Sequence, residues 1–157
     1  MGRLVILGIG SPYRGDDGVG LVVARSLRDK VPGDVVVLEL GGEPAALIEA
    51  WGDADAVFLI DAVSSGAKPG SLHVIDATRT PLSRDLFRHS THSFGVAEAV
   101  ELARTLGKLP PALWIYGIEG KDFGTGLDLS PQVAEAAGKT ADAVLDKIRE
   151  LEPPPAR

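Results

Sequence analysis

The chain has 157 residues, of which 45% are hydrophobic and 24% charged, enough for one globular unit with a sizeable core. Its formal net charge of −6 argues against a nucleic-acid partner, which needs clustered Lys and Arg. With no cysteine it has no disulfide, thiolate ligand or cysteine nucleophile, and no apolar run is long enough to span a bilayer, so a cytoplasmic protein is expected.

The apolar run at 4–7 ends in Gly8 and predicts a buried strand. Residues 19–27 carry apolar side chains at helical spacing. A β-branched run at 35–40 predicts a second strand, and Pro44–Trp51 a short helix with proline in its first turn. A third strand is predicted over 56–60, ending at Asp61. The more polar 71–76 suits an edge strand. A helix over 96–106 closes at Gly107, and 113–118 predicts another strand. Ser130-Pro131 is a helix start, with Ser as N-cap and Pro at the first helical position. That helix runs towards Leu151. The prolines at 153–155 stop it, so 1–151 is expected to form a single α/β domain and 152–157 a frayed tail. The segments 62–70 and 120–129 are Gly-containing loops. Strands alternating with helices predict a three-layer α/β/α fold around a mostly parallel, twisted sheet.

Ligands of open parallel sheets bind at the carboxyl ends of the strands. Asp17 follows the first strand, Asp61 ends the third, and His92 precedes the helix over 96–106. The three are expected to converge on one solvent-facing rim. Two carboxylates and an imidazole suit a borderline divalent metal such as nickel or zinc, and carboxylates at a strand rim can instead do acid–base work. Plainer readings compete. Asp16 or Asp17 can cap the helix that follows, Asp16 being preferred, and Asp61 can bond its own backbone in a turn. His73 reads as a half-exposed strand residue and His89 as a neighbour of His92. Glu119 and Asp122 read as solvated loop acids, and Tyr13 and Phe123 either as contacts for a protein substrate or as cover for the core edge. The first loop begins as G-x-G-x-x-G, but Tyr13 occupies the third glycine position, so the dinucleotide fingerprint fails. Neither G-x-S-x-G nor H-E-x-x-H occurs, which argues against an ordinary serine hydrolase or zinc protease.

Gly8-Ile9-Gly10-Ser11 through Asp16-Asp17-Gly18-Val19-Gly20 resembles the opening motif of the hydrogenase maturation peptidases. Ile60-Asp61-Ala62 resembles their central aspartate, and Ser90-Thr91-His92-Ser93 their histidine motif. Gly117-Ile118-Glu119 and Gly126-Leu127-Asp128-Leu129-Ser130-Pro131 resemble their C-terminal segment. The likeness extends, in order, to about Leu151. It implies an endopeptidase that removes a C-terminal peptide from a [NiFe]-hydrogenase large-subunit precursor. Nickel would be carried by that substrate and met by Asp17, Asp61 and His92, other divalent cations being able to substitute. Ser11 stands where the family often has Asn, and Asp17 where it often has the longer Glu. Asp16 and Asp61 are the candidates for a catalytic general base. A non-catalytic nickel-recognition module is the alternative. A peptidyl-tRNA hydrolase-like esterase is a further one, disfavoured by the acidic balance.

Overall fold

The computed structural model describes residues 2–82 and 91–151, with the backbone alone at 91–94. The tail expected at 152–157, together with His89 and Ser90, lies outside the described residues. Five strands, β1 (Leu4–Ile9), β2 (Val36–Leu40), β3 (Ala56–Val63), β4 (Leu72–Asp76) and β5 (Ala112–Glu119), form one sheet in the order β2-β1-β3-β5-β4. Every pairing is parallel except that of β4 with β5, so the polar strand does lie at an edge and runs against the rest. Among the described residues four α-helices complete the fold: α1 (Val19–Arg28), α2 (Pro44–Trp51), α3 (Thr91–Leu106) and α4 (Pro131–Leu151).

Strand alternation builds two cores. Val5, Leu7 and Ile9 of β1, with Val57, Leu59 and Val63 of β3, meet Trp51 of α2 and Val96 and Val100 of α3. Leu4 and Ile6, with Phe58 and Ile60, pack instead against Val23 and Leu27 of α1 and Val133 and Val144 of α4. Continuous burial along β1 and β3 reflects cover on both faces, as expected of central parallel strands. No helix among the described residues is long and apolar enough to cross a membrane.

The connection from β1 to β2 uses α1 on one face, whereas that from β2 to β3 uses α2 on the other. The switch point therefore falls between β1 and β3, where diverging connections open a crevice at the carboxyl ends. Two boundaries differ from the sequence reading in ways that matter there. Strand β3 continues to Val63, placing Asp61 inside it, because Ala62 and Val63 pair with Ile118 and Glu119 of β5. Helix α3 begins at Thr91, so His92 stands in its first turn and not in a preceding loop.

Candidate active site

The loop after β1 closes as a short helical turn, Gly15–Gly18, that leads directly into α1. Gly15 has φ +55, and a Cβ there would crowd the Asp122 carbonyl, so the entry to the turn requires glycine. Gly20 is held closer still. A Cβ on it would collide with the carbonyl oxygens of Ile9 and Ile60. This small residue lets the start of α1 press onto the ends of β1 and β3, which brings the turn carrying Asp17 against the strand carrying Asp61.

The carboxylates of this turn do not lie on an open rim. Asp16 and Asp61 have no exposed surface and Asp17 retains only 2%. The solvent-facing rim expected from the sequence is thus corrected to a buried one. Over Asp16 the cover comes from the long loop 120–129, which folds back over the turn, while Asp61 lies within the sheet. Gly15 N–H donates to Gly126 O at 2.9 Å, Asp16 N–H to Asp122 O at 2.9 Å, and Gly126 N–H to Tyr13 O at 3.0 Å.

Asp16 fastens that cover. Its Oδ2 accepts the backbone N–H groups of Lys121 (2.8 Å) and Asp122 (2.9 Å) and the Ser130 hydroxyl (2.8 Å), while Oδ1 accepts Ser130 N–H at 2.7 Å. Burial alone would raise its pKa. The hydrogen bonds from Asp122, Ser130 and Lys121 outweigh burial and hold the carboxyl below the usual carboxylate range. Asp16 is therefore not the cap of α1 anticipated from the sequence. The N-cap of that helix is Gly18, which has no side-chain bond to offer.

Asp17 Oδ2 accepts the backbone N–H of Ser11 at 3.1 Å. The bond comes from the main chain, so Ser in place of Asn at position 11 leaves it intact. Asp61 Oδ1 accepts the N–H of Ala62 at 2.8 Å, a bond to its own backbone, made within a strand and not in a turn. Alternation puts Asp61 on the face shared by Leu59 and Val63, the face covered by α3. His92 enters on the first turn of that helix, and its side chain lies outside the described residues. No group of three metal-ligating side chains gathers among the described residues, and the third member of the expected set is not one of them.

Of two further acids, Glu119 departs from expectation, whereas Asp122 is exposed on its loop as expected. Glu119 is 2% exposed and ends β5, so it is no solvated loop acid. It accepts from Ser65 N–H (2.8 Å) and the Ser65 hydroxyl (2.5 Å), and pairs with His73 Nε2 at 3.2 Å. His73 is a partly exposed residue of β4, as its sequence setting suggested. Asp122 turns its Oδ1 to Gly124 N–H, fixing the tip of the covering loop. Phe123 packs against the core, whereas Tyr13 is 68% exposed beside the turn, as a contact for a protein substrate would be. A depression of about 240 Å³, bordered by Pro12, Leu21, Val22, Arg25, Leu127 and Leu129, lies against the same turn.

Residues 21–147 match the family described as hydrogenase maturation protease, HycI. The chain belongs to that family. It is therefore a hydrolase, an endopeptidase of hydrogenase maturation, and not a non-catalytic recognition module or a tRNA esterase. The matched span includes Asp61 and His92 and begins just after Asp17. Among its relatives is the hydrogenase expression/formation protein HupD of Bradyrhizobium diazoefficiens, 27% identical over 151 residues that cover 94% of this chain and 79% of that protein. The protein FrxA of Pyrococcus furiosus is 30% identical over 146 residues, covering 88% of this chain and 99% of its own. This maturation protease superposes on the hydrogenase maturating endopeptidase HybD from Escherichia coli with a TM-score of 0.81. The identity is 22%, with 94% and 93% of the two chains covered, and the likeness extends to the fold. An endopeptidase from the same organism, known from its solution structure, gives a TM-score of 0.83 at 25% identity with the same coverage.

Proposed function

We propose that this endopeptidase removes a C-terminal peptide from the precursor of a [NiFe]-hydrogenase large subunit, and that it recognises nickel already bound in that precursor through Asp17, Asp61 and His92. The observation that carries the reading is the burial of two carboxylates from different elements, Asp17 and Asp61, at the carboxyl ends of the two central strands. That is the switch point, where this class of sheet binds ligands. Carboxylate oxygens and one imidazole leave coordination positions for ligands from the precursor. Nickel belongs to the substrate in this scheme, and the enzyme reads it.

Asp61 is the better candidate for accepting a proton from the attacking water. Every hydrogen bond to Asp16 stabilises its ionised form, and a carboxylate with a lowered pKa is a weak base. Asp16 then serves cleavage by holding loop 120–129 over the turn.

The reading is tested by trimming of a nickel-loaded precursor, with mass analysis of the product. Asp61→Asn keeps the shape of a fully buried side chain while removing its charge, and His92→Ala removes the imidazole. Each is expected to slow trimming by more than about 100-fold, beyond the effect of losing an outer partner of a metal site. Folded variants that trim at the wild-type rate would overturn the assignment.

A further inference from the structure

Glu119 is buried, lies outside the proposed nickel-reading set, and is tied to the strand that carries Asp61. In register, Asp61 pairs with Gly117 of β5, and Gly117 pairs with His73 of β4. Val63 pairs with Glu119 two positions further on. Residues paired in register share a face, so Asp61, His73, Val63 and Glu119 all belong to the face covered by α3. Gly117 offers no side chain between Asp61 and His73. The Val63 methyls fill that space, and Cγ1 would stand 2.9 Å from a Cβ placed on Gly117.

The chain leaves β3 immediately after Val63 and is caught by Glu119 two residues later. One carboxylate oxygen takes Ser65 N–H, and the other takes the Ser65 hydroxyl and His73 Nε2. Backbone bonds reinforce the same point: Gly120 N–H to Val63 O at 3.0 Å, and Gly70 N–H to Glu119 O at 2.7 Å. The segment leaving β3 is thus held at both ends by residue 119, by its side chain at Ser65 and by its carbonyl at Gly70.

We propose that Glu119 is a positioning residue for cleavage, holding through Ser65 and His73 the end of β3 and with it the setting of Asp61. The proposal rests on the reading of Asp61 given above. Asp61 lies only four residues before Ser65, in a strand whose last pair is Val63 with Glu119. Without the anchor, the strand end is free to shift, and a ligand displaced by a fraction of an ångström engages its metal poorly. The defect then appears in capture of the precursor more than in turnover.

The test measures kcat and KM for trimming of a nickel-loaded large-subunit precursor, with thermal melts alongside. Glu119→Ala is expected to raise KM by about tenfold or more while kcat falls less, in the range seen when an outer partner of a metal site is lost. Glu119→Gln keeps an acceptor for Ser65 and a hydrogen-bonding group for His73, so it should restore KM to within about threefold of wild type, a loss no larger than one hydrogen bond. A folded Glu119→Ala enzyme with unchanged KM, whether or not its melting temperature falls, overturns the proposal. Should Glu119→Ala not fold, Ser65→Ala and His73→Ala each remove one bond and are expected to raise KM about fivefold; unchanged KM in both overturns it. Asp61→Asn in the same assay separates the two readings. Normal trimming by that variant removes the role of Asp61 itself, whereas impaired Asp61→Asn beside an unaffected Glu119→Ala removes only the role of Glu119.

Discussion

Asp16 makes four hydrogen bonds and every donor lies beyond residue 120, so one side chain joins the opening turn to the far end of the sequence. Asp16→Asn is close in size but turns an NH₂ group towards N–H donors. At least one donor then loses its acceptor, and the expected cost is about 1–3 kcal/mol, read as a lower midpoint in urea or heat. The wild-type contribution also depends on pH with a definite sign. The folded pKa is lowered, so the stabilisation is complete above the ordinary carboxylate value near pH 4 and fades as pH falls through the lowered one. Acid titration of stability should therefore be shallower in Asp16→Asn, and equal slopes would show that the clamp is not ionised in the way described. The sequence marked Asp16, Asp17 and Asp61 as chemically interesting because acids at the ends of apolar strands are unusual. It could not distribute their roles. Whether an acid caps its own helix or reaches 114 residues away to Ser130 depends on how loop 120–129 folds, and that loop has no periodic pattern to read. Glu119 was misjudged for a related reason. A strand end and a loop start look alike in Gly-Ile-Glu-Gly, and only pairing with Val63 shows that the residue belongs to the sheet.

At the scale of elements, strands β1, β2 and β5 and helices α1, α2 and α4 were legible because apolar runs and helical periodicity are local signals. Two of the elements misread at an end, β3 and α3, carry Asp61 and His92. Polar residues break the hydrophobic pattern, so Asp61 read as the end of its strand and His92 as part of a loop. Tertiary pairing overrides the pattern at Asp61, where β5 provides a partner for each residue through Val63. The contact of α1 with β1 and β3 is equally invisible locally, since Gly20 reads as a poor helix residue until the Ile9 and Ile60 carbonyls are seen against it. This makes Gly20→Ala informative. In an exposed helix the change would stabilise, whereas here the methyl must push α1 away from two backbone carbonyls. Overpacking of this kind costs about 1–3 kcal/mol. Because Asp17 lies two residues before α1 and Asp61 follows Ile60, the same displacement should separate the two carboxylates and lower trimming of a precursor. A Gly20→Ala enzyme as stable and active as wild type would show that the close approach serves neither packing nor the site.

The whole molecule owes its stability to two hydrophobic cores, one on each face of the sheet, and to the hydrogen-bonded cover of loop 120–129. Small domains that fold only around a metal lack such cores and lose their structure to chelators. Trp51, Phe58, Ile6, Leu7 and Leu27 are fully buried here, so the fold is expected to stand independently of the nickel recognition proposed above. The recognition proposed above places nickel in the precursor. Two carboxylates and a single imidazole form a modest site for a divalent ion, far from the sulfur-rich sets that retain metal through purification. The proposed substrate supplies the remaining ligands, so affinity is reached only in the complex. Treating the enzyme with a chelator and then removing the chelator should leave its melting temperature unchanged and its activity on a nickel-loaded precursor undiminished. Stripping nickel from the precursor instead should abolish trimming by untreated enzyme, and reloading the precursor should restore it. Mass analysis of the precursor in a two-by-two exchange, each partner treated or untreated, reads both effects at once. If stripping the enzyme alone stops cleavage, and adding nickel to the enzyme before mixing restores it, the metal is resident in the enzyme and recognition of substrate-borne nickel must be given up. If stripped precursor is trimmed as fast as loaded precursor by stripped enzyme, the carboxylates at the switch point act on the peptide directly, and the endopeptidase needs no nickel from either side.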